Sequence, residues 1–117
     1  MVKIVNNKGS VSISTEVFTN IAGDAATRCF GVKGMVGKSK ESGIYQLLRR
    51  ESMSKGVSVS FHEDCTASIE LHIAVDPGVN IAALGENIVE EVSYKVSEAT
   101  GVPVKNVDVC VDSIIFD

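Results

Sequence analysis

Val57-Ser-Val-Ser-Phe-His-Glu-Asp-Cys-Thr-Ala-Ser-Ile-Glu-Leu-His-Ile-Ala-Val75 is the stretch from which the fold can be read. Val57, Val59 and Phe61 alternate with Ser58, Ser60 and His62, and Ile69, Leu71, Ile73 and Val75 alternate with Glu70, His72 and Ala74. A period of two with one apolar face marks a half-buried strand. The two runs, separated by a short polar segment, predict an antiparallel hairpin. Side-chain parity limits its register, because a slip of one residue would set apolar against polar. Pairing Phe61 with Ile69 satisfies parity and leaves Asp64-Cys65-Thr66 as the turn. In that register His62 faces Ser68 and His72 faces Ser58, so the two imidazoles lie apart.

Towards the C-terminus, Pro77-Gly78 breaks the strand and Asn80 is placed to cap a long helix, about Ile81 to Thr100. Ile81, Leu84, Ile88, Val92, Val96 and Ala99 form its apolar stripe. Gly101 and Pro103 stop it. A last strand carries Val107, Val109 and Val111 against Asp108, Cys110 and Asp112. Its phase then slips, since Ile114 and Phe116 fall on the polar face, and a bulge or coverage of both faces would account for this.

Towards the N-terminus, Gly9-Ser-Val-Ser-Ile13 alternates as a short strand, and Ser14 is a suitable helix cap. Val17, Phe18, Ile21, Ala22, Ala25, Ala26, Cys29 and Phe30 follow at spacings of three and four, predicting an amphipathic helix closed by Gly31 at C′. Gly31-Val-Lys-Gly34-Met-Val-Gly37-Lys-Ser-Lys40 reads as a glycine-rich loop. Ser42 is a candidate cap for a short helix bearing Ile44, Leu47, Leu48 and Met53. The order is β-α-(loop, short helix)-β-β-α-β. It predicts a two-layer α+β fold, a small, largely antiparallel sheet with two long helices on one face.

The chain has 117 residues, 44% hydrophobic and 22% charged, the size and balance of one ordinary globular domain, 1–117. No apolar run reaches the roughly 18–20 residues of a membrane span, Met1 to Asn6 has no signal-peptide apolar segment, and Asp117 ends no lipidation motif. Membrane association is therefore expected only through a partner. Cys29, Cys65 and Cys110 form no C-x-x-C pair, which suits a reducing, cytoplasmic setting. The net charge of −4 is unevenly spread. Residues 1–56 hold nine Lys and Arg against four Asp and Glu, and residues 57–117 hold two against eleven. Segregated solvated surfaces are the plain reading, and a dipolar molecule that steers an anionic partner or packs on itself is the sharper one.

Several segments together resemble the alkaline shock protein family of Gram-positive bacteria. Gly9-Ser-Val-Ser-Ile-Ser14, Glu16-Val17 and Ile21-Ala-Gly-Asp-Ala-Ala26 resemble its first strand and helix, and Gly31-Val-Lys-Gly-Met35 the glycine segment after it. Leu48-Arg-Arg-Glu-Ser-Met-Ser-Lys-Gly-Val57 resembles a stretch of one branch. Gly78-Val-Asn-Ile81, Thr100-Gly-Val-Pro-Val104 and Val107-Asp-Val-Cys-Val-Asp-Ser-Ile-Ile-Phe116 resemble the closing helix and strand. Ser113 stands where a glycine is expected. The resemblance implies a cytoplasmic, non-enzymatic protein of the alkaline or cell-envelope stress response, linked in some members to fatty-acid metabolism. It implies protein partners, among them a membrane-anchor protein or a fatty-acid kinase-like protein, and a second copy of the chain.

No catalytic residue, metal set or cofactor is expected. Gly37-Lys38-Ser39 ends like a P-loop, but Val32 occupies the position of the first glycine and the segment follows a helix. His62-Glu-Asp-Cys65 holds ligand-type residues whose side chains diverge around a tight turn. Cys110 lies between Asp108 and Asp112, which oppose its ionisation. Glu90 and Glu91 diverge on a helix. Lys33, Gly34, Gly37, Lys38, Lys40, Arg49 and Arg50 are the candidate anion- or partner-binding loop, and Ile114 and Phe116 the candidate interaction edge. The alternative is a KH-like RNA-binding domain clamping phosphates with the Gly31–Gly37 basic loop. An acidic chain with few aromatic residues argues against it, so nucleic acid is not the expected partner.

Overall fold

The computed structural model describes residues 2–38, 45–47 and 56–116, with side chains described for all of these except 38 and 45–47. Strands β1 (Val2–Asn6) and β2 (Gly9–Ile13) precede helix α1 (Thr15–Thr27) and strands β3 (Val32–Lys38), β4 (Tyr45–Leu47), β5 (Val57–Phe61) and β6 (Ala67–Val75). Helix α2 (Ile81–Thr100) and strand β7 (Val104–Ile114) complete the order. The fold is α+β, as the alternation and helical spacings predict.

Strand β6 is the axis of a five-stranded sheet. One of its edges pairs in parallel with β7 from Ala67 to Val75. The other pairs antiparallel with β5 through Ala67–Leu71 and with β3 through Ile73–Val75. β4 extends the sheet beyond β3. The single parallel pair follows from α2, because parallel neighbours need a crossover of helical length. Both helices cover one face, α1 against β3 and β5 and α2 against β7, and they pack on each other.

The core is the set of residues that the two periodicities select. Ile69, Leu71, Ile73 and Val75 of β6 meet Leu84, Ile88, Val92 and Val96 of α2 and Phe18, Ala22, Ala25 and Ala26 of α1. Phe18 meets Phe61 edge to face, with ring centroids 5.0 Å apart. Asn80 caps α2 by accepting from the Ala83 amide at 3.1 Å, and Gly101 ends it in the left-handed conformation. At the last turn Thr100, not Ala99, is the buried residue, and Ile81 at the first is 41% exposed.

Several expectations are corrected. The hairpin keeps its parity, but Phe61 pairs with Ala67 and Val59 with Ile69, two residues from the expected register. The Ala67 amide bonds the Pro103 carbonyl, so β7 also helps to fix where β6 begins. Helix α1 ends at Thr27, so Phe30 leaves the stripe and is exposed. Gly31 is not its C′ residue. It sits at φ +102° in the following turn, where an added Cβ would lie 3.0 Å from Val79 Cγ1. The expected glycine loop is strand β3, and Tyr45–Leu47, expected in a short helix, is strand β4. Ser42, Ile44, Leu48 and Met53 lie outside the described residues. An additional strand, β1, pairs with β2 as a separate ribbon.

Candidate functional site

Among the described residues, the sheet has two distinct surfaces that no other element covers. The first is the outer edge of β7, which meets no strand among the described residues. Val107 at its start is buried, but Val109 and Val111 are only partly covered by α2. They line a groove of about 470 Å³ with Ile81, Ala82, Gly85, Glu86, Val89 and Glu90. Glycine and alanine on that flank of α2 supply too little side chain to fill it.

A bulge decides what lies beyond. Ile73 pairs with Val111 but Ala74 with Ser113, so Asp112 is an extra residue in the ladder. The strand alternation therefore restarts, and Ile114, opposite Val75, returns to the helix-facing side. This corrects the expectation that Ile114 continues on the polar face, and the bulge is the reason for the slipped phase. Ile114 is 44% exposed and Phe116 75% exposed, close to the free edge.

The second surface is the face of β6 and β7 turned away from the helices. His62 Nε2 donates to Ser68 Oγ at 2.6 Å, Ser68 donates to Asn106 Oδ1 at 2.6 Å, and Asn106 donates to Asp108 at 3.3 Å. Beside this chain stand Glu70, His72, Cys110 and Asp112. Parallel pairing places His72 level with Cys110 and Glu70 level with Asp108. His72 Nδ1 lies 2.8 Å from Asp112 Oδ2, and its Nε2 lies 3.7 Å from Glu70 Oε2. Cys110 Sγ lies 3.8 Å from Glu70 Oε1. Burial first, then the Glu70 and Asp112 charges, push the Cys110 thiol up, in the direction expected from its acidic neighbours.

Of the residues proposed from sequence as a basic loop, those described stand in a strand. Lys33, Gly34 and Gly37 lie in β3, with Gly34 paired to Ala74 and Gly37 to Gln46. Lys33 faces Asp76, with 3.8 Å between Nζ and Oδ1. Lys38 ends the same strand, and Lys40, Arg49 and Arg50 lie outside the described residues. Glycine amides committed to a sheet ladder cannot clamp a phosphate backbone, which removes the loop that the KH-like alternative requires. Sequence reasoning misses the Glu70–His72–Cys110–Asp112 grouping. Alternation shows that Glu70 and His72 share a face, but only the parallel register of β7 brings Cys110 and Asp112 to them.

Comparison with known proteins agrees with the fold and gives the family. The chain is 34% identical over 107 residues to the uncharacterized protein YloU of Bacillus subtilis, covering 91% of this chain and 88% of the relative. It is 34% identical over 114 residues to the uncharacterized protein Spy1614 of Streptococcus pyogenes serotype M6, covering 97% and 93%. Among solved structures, a MamM CTD superposes with a TM-score of 0.52 at 17% identity, over 86% of this chain and 99% of the other. At that identity the likeness concerns the fold alone. A family model of the alkaline shock proteins, described by a cell envelope-related function, matches residues 3–116. The chain therefore belongs to the alkaline shock protein family, whose function is related to the cell envelope.

Proposed function

We propose that the chain is a non-enzymatic interaction module that receives an extended segment of another protein as an added strand on β7. The observation that carries this reading is the eleven-residue outer edge of β7, unpaired among the described residues, running beside an apolar groove whose lining includes Ile81, Val89, Val109 and Val111. Unpaired strand amides and carbonyls supply affinity for an incoming strand, and a groove beside them supplies selectivity for its side chains.

The charges define the partner. Asp108 and Asp112 flank Cys110 on the strand, and Glu86 and Glu90 line the groove. In an antiparallel pairing of two β7 edges centred on Cys110, Asp108 of each copy would stand opposite Asp112 of the other, which is destabilising. A segment alternating apolar with basic residues meets the same edge without that repulsion. Such a segment on a membrane-anchor protein would hold the chain at the envelope. No described helix of the chain is long and apolar enough to cross a membrane.

Chemical crosslinking in intact cells, with capture through wild-type, Val89→Asp and Phe116→Ser chains, tests the proposal. Phe116 is largely exposed, so Phe116→Ser should hold stability within about 0.5 kcal/mol, whereas Val89 packs partly against the core, so Val89→Asp should cost about 1–2 kcal/mol and its capture is compared per folded chain. Capture of the same partner should fall at least about tenfold, as for loss of one anchoring contact worth roughly 1.4 kcal/mol or more. Undiminished capture by both folded variants would place the contact elsewhere.

A further inference from the structure

Three donor types of different chemistry converge on the polar face of the sheet, away from the β7 groove. Single ligand atoms of Glu70, His72 and Cys110 all lie within 4.8 Å of one another. A tetrahedral ion bound at about 2.0–2.3 Å separates its ligands by roughly 3.3–3.6 Å. His72 Nε2 lies 3.7 Å from Glu70 Oε2 and Cys110 Sγ 3.8 Å from the other carboxylate oxygen, Oε1, so the carboxylate as a group already stands near that spacing from both. Glu70 and His72 have side chains 50% and 30% exposed, so small rotations close the remaining distance without moving the strands.

We propose that Glu70, His72 and Cys110 bind one zinc-type divalent cation, with Asp112 positioning the imidazole and solvent filling the fourth place. The second, independent feature is the Asp112 contact. A carboxylate 2.8 Å from Nδ1 accepts the Nδ1–H and leaves Nε2, on the Glu70 side, as the ring nitrogen that an ion would take, the arrangement that commonly supports a metal-bound histidine. Asp112 is the bulged residue and its side chain is only 14% exposed, so its carboxylate is held in place rather than free in solvent. A thiolate beside an imidazole selects a borderline-soft ion and disfavours magnesium or calcium, which prefer oxygen ligands throughout.

The charges lead to the same ion. Glu70, Asp108 and Asp112 face the Cys110 thiol from β6 and β7, and β5 offers only Ser58 and Ser60 on that side. A divalent cation placed among them offsets that crowding of negative charge. Binding forms the metal–sulfur bond as the thiol proton leaves for solvent, so uptake of an ion releases a proton and strengthens as pH rises.

The test titrates the untagged, reduced chain with zinc alone by calorimetry and with cobalt alone by absorption. One ion per chain, proton release and a thiolate-to-cobalt charge-transfer band are expected. Cys110→Ser should abolish the band and weaken zinc by more than about 100-fold, and Asp112→Asn should weaken it by about 10–100-fold. Glu70→Gln should weaken it at least as much as Asp112→Asn, and Cys65→Ser should change nothing. Should Cys110→Ser fail to fold, the wild-type band and a zinc-dependent shift of the His72 Nε2 resonance still decide the matter. A wild-type chain without the band, a band that survives Cys110→Ser, or one that vanishes in Cys65→Ser would overturn the site.

Discussion

Cys29 and Cys110 show how the same side chain serves two surroundings. Cys29 packs under α1, bonds the Ala25 carbonyl at 3.5 Å, and has its thiol pushed up by burial and then by Glu91. Cys110 is pushed up by burial and by the acidic groups of the open face. Both folded thiols therefore titrate above the ordinary value of 9.0, which the unfolded chain approaches more nearly. Between those values the folded state holds protons that the unfolded state has released. Stability is thus at its full value below the unfolded pKa and falls as pH rises from there through the folded one. Urea unfolding across that alkaline window should show a shallower loss in a Cys29→Ala, Cys110→Ser chain than in the wild type, and parallel curves would refute the assignment. At neutral pH the double change should cost about 1 kcal/mol, mostly at Cys29. Cys65, exposed in the hairpin turn at φ 66°, should be replaceable by serine at no such cost.

Among the elements, those whose pattern is local were legible and those defined by a distant partner were not. The caps of α2, the parity of β5 and β6 and the stripe of α1 from Phe18 to Ala26 all lie within short windows of sequence, whereas Val17, expected in that stripe, is 41% exposed. Strand β3 escapes such a reading because its glycines, Gly34 and Gly37 following Gly31, look like a loop. Its backbone extends because β6 and β4 pair with it on either side. The phase slip in β7 gives away a bulge but not its consequence, since only pairing with Ala74 and Val75 shows that Ile114 returns to the helix side. The open-face cluster needs the same pairing. Two glycines make element-level packing testable. Gly101 at φ 75° has open space around it, so Gly101→Ala should cost only the backbone strain, about 1 kcal/mol. At Gly56 an added Cβ would lie 3.0 Å from the Val36 carbonyl oxygen and 3.1 Å from Met35 Cβ. These are backbone and core neighbours that cannot swing away, so Gly56→Ala should cost more, about 1–3 kcal/mol. Equal costs in denaturant unfolding would mean that the junction of β3 and β5 yields more readily than its packing implies.

For the whole molecule, the division that matters is between a sheet-and-helix body and the β1–β2 ribbon. The Cα radius of gyration is 15.0 Å, larger than the roughly 13 Å of a compact chain of this length. Only Val2 and Ile13, which pair with each other at the root of the ribbon, pack on the core. Ile4 and Val11, the next pair on the same face, are 43% and 59% exposed, and Val5 is 68% exposed. A two-stranded ribbon buries too little to hold itself together, whereas β6 is bonded along both edges beneath two helices. The ribbon should therefore open without unfolding the body. Native-state hydrogen exchange should show amides of Ile4, Val5 and Val11 exchanging through local opening, insensitive to low urea. Amides of Ile69, Leu71 and Ile73 should exchange only with global unfolding and respond to urea with its full slope. Ile4→Ser with Val11→Ser should leave the unfolding midpoint within about 0.5 kcal/mol of the wild type. If the ribbon amides are instead protected to the global limit, or the double change costs as much as a core substitution, ribbon and body form one cooperative unit and the exposed pair has a partner in solution.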